Sequence, residues 1–168
     1  MYYIFDLKKA YNIVYHIYLP LEYSIFSYFF YLNLEQKFIK KIILLAIILV
    51  VLFCCILSLN FVPVTSYPGD IFNLVGGGLT LWAIIVLFNL QPVNNVAFFK
   101  LPLFWICFGI IFFYPGMFFF NEVYEHLNNN QPELARKLNY YINKSLNCLL
   151  YTCFSISFIC SNQMKKYT

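Results

Sequence analysis

Five apolar stretches separated by short polar segments dominate the pattern along this chain of 168 residues. Each stretch holds about 20 residues, the length of helix that crosses roughly 30 Å of hydrocarbon. The pattern therefore predicts an all-α fold, a polytopic membrane helix bundle of about five transmembrane helices forming one integral membrane domain over residues 1–168. The predicted spans are 13–32, 42–62, 71–90, 101–121 and 142–162.

The connections between these stretches are too short for a separate soluble domain. The longest, NEVYEHLNNNQPELARKLNYY over residues 121–141, has room for structure of its own. Because the residue before a proline disfavours helical backbone, we expect the two flanking helices to extend into this segment and to break near Asn130 and Pro132.

The composition of the chain indicates that most of it is surrounded by lipid and not by water. Hydrophobic residues make up 62% of the chain and charged residues 11%, whereas soluble domains carry about 25% charged residues. The net charge of +4 is spread over short connecting segments, so it relates to membrane topology and not to a nucleic-acid surface. The lipid bilayer is the expected partner, and nucleic acid is not.

Lysine and arginine are nearly balanced between the two membrane faces that five spans would create. The segment 63–70 has no basic residue, while the segment 35–41 and the C-terminal tail are short and basic. Such segments favour the cytoplasmic side. The sequence thus predicts a multi-pass protein of the cell inner (plasma) membrane with the N-terminus out and the C-terminus in, whose first helix serves as its own uncleaved signal.

Pro20 and Glu22 interrupt the first apolar stretch near its middle. A helix that starts near Ile13 places Glu22 roughly 13 Å deep, where an ionised carboxylate facing lipid would cost several kcal/mol. Glu22 is therefore expected to face the bundle, to be protonated or to be paired. Three interpretations remain open: a structural glutamate, a ligand, ion or proton site, or an interfacial residue of a helix that starts after Pro20.

Polar residues recur every four positions in the fifth stretch, which places them in one stripe along a helix. They are Asn139, Asn143, Asn147, Tyr151 and Ser155. One interpretation is hydrogen bonding to neighbouring helices. The sharper hypothesis is an intramembrane polar site in which Glu22, Asn143, Asn147 and Tyr151 line a shared cavity.

Glycines mark positions of expected close helix packing. Residues 76–78 are three successive glycines in the third stretch, and Gly109 and Gly116 lie seven residues apart on one face of the fourth. Pro115 is expected to kink that helix. The six cysteines all lie in apolar stretches and are expected to be small core residues.

The chain offers few residues for catalysis or metal binding. It contains no G-x-S-x-G, no H-E-x-x-H and no Walker lysine, so no enzyme activity and no cofactor are expected. Glu122, Glu125 and His126 cluster at the end of the fourth stretch. They are expected to form a solvated interfacial cluster, the alternative being a metal site made by His16, Glu122 and His126.

Three aromatic segments carry a resemblance: IYLPLEYSIFSYFFY, FKLPLFWICFGIIFFYPGMFFF and NKSLNCLLYTCFSIS. Together they resemble uncharacterised bacterial multi-span membrane proteins, whose longer members have about seven helices built like the sensor modules of histidine kinases. The likeness covers roughly residues 11–163, and its most specific part is Phe104 and Trp105 followed by Gly109. The resemblance implies a shortened relative or a fragment that lacks two N-terminal helices. It carries over no catalytic residue and implies a role in sensing only by analogy.

Two functional hypotheses follow, besides a purely structural subunit of a larger membrane complex. The first is a non-catalytic, sensor-like or partner-binding membrane module, whose output needs another membrane protein. The second is a small oligomeric transporter or channel with a polar site around Glu22. A homo-oligomer is expected in the second case, because five helices alone make a poor pathway.

Overall fold

A computed structural model describes residues 2–63, 65–90 and 97–164. These residues form five α-helices and one short 3-10 helix, and contain no β-strand, which confirms the all-α prediction. The α-helices are α1 (Tyr2–Asn33), α2 (Lys37–Asn60), α3 (Gly69–Phe88), α4 (Pro102–Asn130) and α5 (Pro132–Met164); the 3-10 helix is Phe98–Lys100.

Three of the helices, α2, α3 and α4, are long and apolar enough to cross a membrane, which indicates a membrane protein. The helices α1 and α5 are longer still, with 32 and 33 residues, yet they do not reach the same hydropathy. Tyrosines with His16 and Glu22 lower the hydropathy of α1, and asparagines lower that of α5. The membrane prediction is thus confirmed for three spans and not for all five.

The helix boundaries differ most from the predicted spans at the start of α1, which lies at Tyr2 and not at residue 13, and beside the long connection. Helix α4 continues to Asn130, and α5 begins at Pro132, as the proline at that position predicts. Helix α1 is continuous through Pro20. The interpretation that a helix starts after Pro20 and leaves Glu22 in its first turn is therefore wrong.

The chain forms two compact units, Met1–Trp82 and Ala83–Thr168, whose boundary falls within α3. In the first unit, α1 and α2 form a helical hairpin. Along α1 the buried residues recur every three or four positions, which is the spacing of one helix face. From residue 11 onward they are His16, Leu19, Tyr23, Ser27 and Phe30.

The second unit is built on the packing of α4 against α5. The two helices are antiparallel, because Gly116 meets Leu146 while Gly109 meets Cys153. The contacts are close at both glycines, as their spacing predicts.

The prediction that the cysteines are core residues is only partly confirmed. Cys54, Cys107, Cys153 and Cys160 are buried, but Cys55 and Cys148 are exposed.

Candidate functional site

Glu22 lies half-buried in the apolar part of α1, two residues after Pro20. Its Oε1 accepts a hydrogen bond of 3.0 Å from the hydroxyl of Tyr18, one turn earlier on the same helix. This bond offsets part of the cost of a carboxyl group within an apolar helix, because a buried polar group is expensive mainly when it lacks a partner.

The polar stripe of α5 forms hydrogen bonds along its own helix. Asn147 Nδ2 donates to Asn143 Oδ1 at 2.6 Å and to the Asn143 carbonyl at 2.8 Å. Ser155 Oγ donates to the carbonyl of Tyr151 at 2.8 Å. The side chains of Asn143, Tyr151 and Ser155 are exposed. Within the second unit the stripe therefore does not join α5 to α4.

The face of α5 that lies beside this stripe makes the contact with α4. Leu146, Leu150 and Cys153 lie against the backbone of Gly116 and Gly109, where an added Cβ would come within 3.0 to 3.2 Å of them. Helix α5 thus has one apolar face that is packed and one amide-rich face that its own unit leaves open. Glu22 belongs to the first unit and Asn143, Asn147 and Tyr151 to the second, and a cavity that they share stays a prediction.

A shallow groove, here called the α5 polar groove, runs along the N-terminal half of this open face. It is lined by Arg136, Asn139, Tyr140, Asn143, Lys144 and Asn147. Lys144 Nζ donates to the hydroxyl of Tyr140 at 2.6 Å and lies 4.4 Å from the centre of the same ring. The lysine side chain is thus turned back toward the N-terminus of α5.

His16 has hydrogen-bonding partners other than the predicted metal ligands Glu122 and His126. Its side chain is 7% exposed, so it is buried and not solvated. Nδ1 lies 2.8 Å from Ser58 Oγ, and Nε2 lies 3.2 Å from the carbonyl oxygen of Ser66. Because a carbonyl can only accept, Nε2 carries a proton, and the Ser58 hydroxyl can donate to Nδ1.

The described part of the chain holds no group of three His, Cys, Asp or Glu side chains close enough to bind a metal ion. His126 is exposed, and its carbonyl accepts a hydrogen bond of 3.1 Å from Asn130 Nδ2. The side chain of Glu125 lies outside the described residues. His16 uses both ring nitrogens to hold α1 against the end of α2 and the loop that follows it.

Other contacts around His16 were not visible in the sequence. Asn12 Nδ2 donates to the carbonyl of Thr65 at 2.6 Å, and the rings of Tyr15 and Tyr67 meet edge to face at 5.5 Å. Partial burial of Tyr67, and then the nearby Tyr15 and Glu22, raise the pKa of Tyr67 to about 12. The two residues of each contact are some 50 positions apart in the chain, so no local motif predicts these contacts.

A second contact missed by the sequence lies between α1 and α3. Trp82 Nε1 donates a hydrogen bond of 3.0 Å to the Tyr23 hydroxyl, and both residues are buried. The Tyr23 ring rests on Gly78, where an added Cβ would lie 2.7 Å from Cε2. The glycine run predicted close packing at this position, but not which side chain would fill it.

No protein-family model matches this chain, and no curated protein or solved structure is significantly similar to it. The resemblance to sensor modules of histidine kinases therefore stays a hypothesis.

Proposed function

We propose that this chain is a non-catalytic, partner-binding membrane module, and that the open face of α5 receives another membrane protein. The proposal includes membrane insertion of all five helices in the inner (plasma) membrane. A sensor-like role, as the resemblance implies, would use the same contact to transmit a signal. The observation that carries the proposal is the unpartnered amide-rich face of α5.

The hydrogen-bonding capacity of this face supports a polar partner. Among the described residues, no partner is seen for the Nδ2 donor of Asn143 or the Oδ1 acceptor of Asn147. Tyr151 leaves 63% of its surface exposed. Such groups in hydrocarbon need a partner that can donate and accept hydrogen bonds, and each bond across membrane helices contributes on the order of 0.6 to 2 kcal/mol.

Cross-linking followed by affinity purification tests this function. A photoreactive amino acid replaces Asn147 in one variant and Asn162 in another, since both are on α5 and Asn162 is exposed outside the stripe. We expect one membrane protein to cross-link at position 147 and not at 162. We also expect the Asn143→Leu/Asn147→Leu variant to lose that protein, while Asn162→Leu keeps it. Equal recovery with all variants would contradict the proposal.

A small oligomeric transporter or channel is the second candidate, and Glu22 is the observation that favours it. A half-buried carboxyl group in an apolar helix is a common element of ion and proton pathways. The test is flux into proteoliposomes made with the full chain. Glu22→Leu should abolish the flux, whereas Glu35→Leu, which removes an exposed carboxylate from the α1–α2 connection, should not.

A further inference from the structure

We propose that the α5 polar groove binds the headgroup of an anionic phospholipid. The groove brings together two cations, Arg136 and Lys144, and the amide groups of three asparagines. No carboxylate lines it. Neither cation forms an ion pair with a described carboxylate, so both are available to a phosphodiester.

The lining follows from the spacing of α5. Arg136, Tyr140 and Lys144 form one row of residues four positions apart, and the three asparagines form the row beside it. Rows of this spacing are the ridges of an α-helix, and the space between two ridges is a groove. One ridge supplies positive charge and the other supplies amide N–H donors. Phosphate oxygens accept from both kinds of group.

The depth of the groove follows from the packing of α5 on α4. Gly116 lies against Leu146. The helices are antiparallel, so the residue six positions after Gly116 on α4 lies at the same height along the helix pair as the residue six positions before Leu146 on α5. Those residues are Glu122 and Tyr140. Glu122 is the first charged residue after the apolar part of α4, a helix able to span a membrane.

Tyr140 therefore lies where the hydrocarbon ends and the headgroups begin, which is the depth that tyrosine prefers. Arg136 lies one turn further out. Lys144 lies one turn further in, and its Nζ reaches back to the Tyr140 hydroxyl. A lysine near the end of a membrane helix extends in this way toward the interface. Both cations thus meet at the level of the lipid phosphates.

Anionic lipid is the occupant that this arrangement favours. Each basic residue close to an anionic membrane surface strengthens binding by about fivefold. A zwitterionic headgroup would place its own ammonium group among the two cations. The lipid site shares Asn143 and Asn147 with the proposed partner contact. Its test is separate, because it changes only cations and leaves the stripe of Asn143, Asn147 and Tyr151 intact.

The experiment measures binding of short-chain lipids to the full chain in a neutral detergent, by microscale thermophoresis. The probes are dihexanoyl phosphatidylglycerol, dihexanoyl phosphatidylcholine and inorganic phosphate. The variants are Arg136→Gln, Lys144→Gln and both together. Lys137→Gln is the matched control, because Lys137 is exposed on the same turns but lines a different groove.

We expect tight binding of phosphatidylglycerol only. The Kd should rise about fivefold for each cation removed and about thirtyfold for the double variant. Lys137→Gln should change it less than twofold, and Lys144→Arg should restore binding. The proposal is overturned if Lys137→Gln weakens binding as much as Lys144→Gln, if phosphatidylcholine binds equally well, or if free phosphate binds with the same dependence on the variants.

Discussion

The Trp82 indole N–H and the Tyr23 hydroxyl are joined by a buried hydrogen bond of 3.0 Å that links α3 to α1 in the first unit. Gly78 makes this contact geometrically feasible, because its missing side chain leaves space for the Tyr23 ring. Tyr23 is 1% exposed, so the ring has little freedom to move aside. The position is therefore sensitive to added volume.

Gly78→Ala is expected to destabilise the protein. The new Cβ would lie 2.7 Å from Tyr23 Cε2, and overpacking of this kind costs about 1–3 kcal/mol. Gly77→Ala is the matched control, since nothing lies within 4 Å of its added Cβ. It should be neutral or stabilise α3 by up to about 1 kcal/mol. Unfolding in mixed micelles of SDS, followed by circular dichroism, measures both, and equal stabilities would contradict the expectation.

Tyr23→Phe is expected to lower the free energy of unfolding because it leaves the buried Trp82 N–H without its acceptor. The loss should be about 1–3 kcal/mol. Trp82→Phe also costs stability, through lost volume as well as the lost bond. A double-mutant cycle with Tyr23→Phe and Trp82→Phe isolates their coupling. Additive effects of the two substitutions would show that the hydrogen bond contributes nothing.

His16→Phe is expected to destabilise the first unit. It removes a buried ring with hydrogen bonds to Ser58 and to the carbonyl of Ser66, and a buried group left unpaired costs about 1–3 kcal/mol. His126→Phe is the control, because His126 is exposed and surface substitutions usually change stability by less than about 0.5 kcal/mol. Equal unfolding curves for the two variants would show that the His16 contacts are not stabilising.

Gly109→Ala is expected to cost more stability than Gly116→Ala. At Gly109 the added Cβ would meet Cys153 Cβ at 3.1 Å, an atom that moves only with the α5 backbone. At Gly116 it would meet the terminal methyl groups of Leu146 at 3.0 and 3.1 Å, which a change of rotamer can withdraw. The comparison uses the same unfolding assay, and a larger loss for Gly116→Ala would contradict this account.

Ionisation of Tyr67 is expected to lower the stability of the folded protein at alkaline pH. Its pKa is about 12 in the folded chain against an ordinary value of 10.0, so the folded state holds the phenol proton more tightly than the unfolded state. The resulting stabilisation is fully present below pH 10 and is lost as the pH rises through 12. Between these pH values the wild type should lose stability relative to Tyr67→Phe. Parallel pH profiles would contradict the raised pKa.

The helices and much of the close packing could be predicted because they depend on local sequence. Apolar runs of about 20 residues favour membrane helices, and Pro132 marks the start of α5 within the long connection. Gly109 and Gly116 were recognisable as a packing face from their spacing alone. Glu22 was recognisable as an unusual residue, but its bond to Tyr18 depends on side-chain geometry.

The candidate sites were less predictable, because their geometry depends on residues far apart or on rotamers. The sequence indicated the stripe of α5 but not that its amides would bond along their own helix. It offered His16 as a metal ligand, whereas the fold engages both ring nitrogens with Ser58 and Ser66. The sequence around His16 does not predict hydrogen-bond partners that lie 42 and 50 residues away.

By itself, the sequence determined that this chain is helical, largely apolar and suited to a membrane, because backbone hydrogen bonding and hydropathy are local properties. Only the tertiary structure decided that Tyr23 lies on Gly78 and that Leu146 lies on Gly116. It also left the amide-rich face of α5 open toward the outside of its unit. Those outcomes depend on the register between packed helices, which side chains distant in sequence set together.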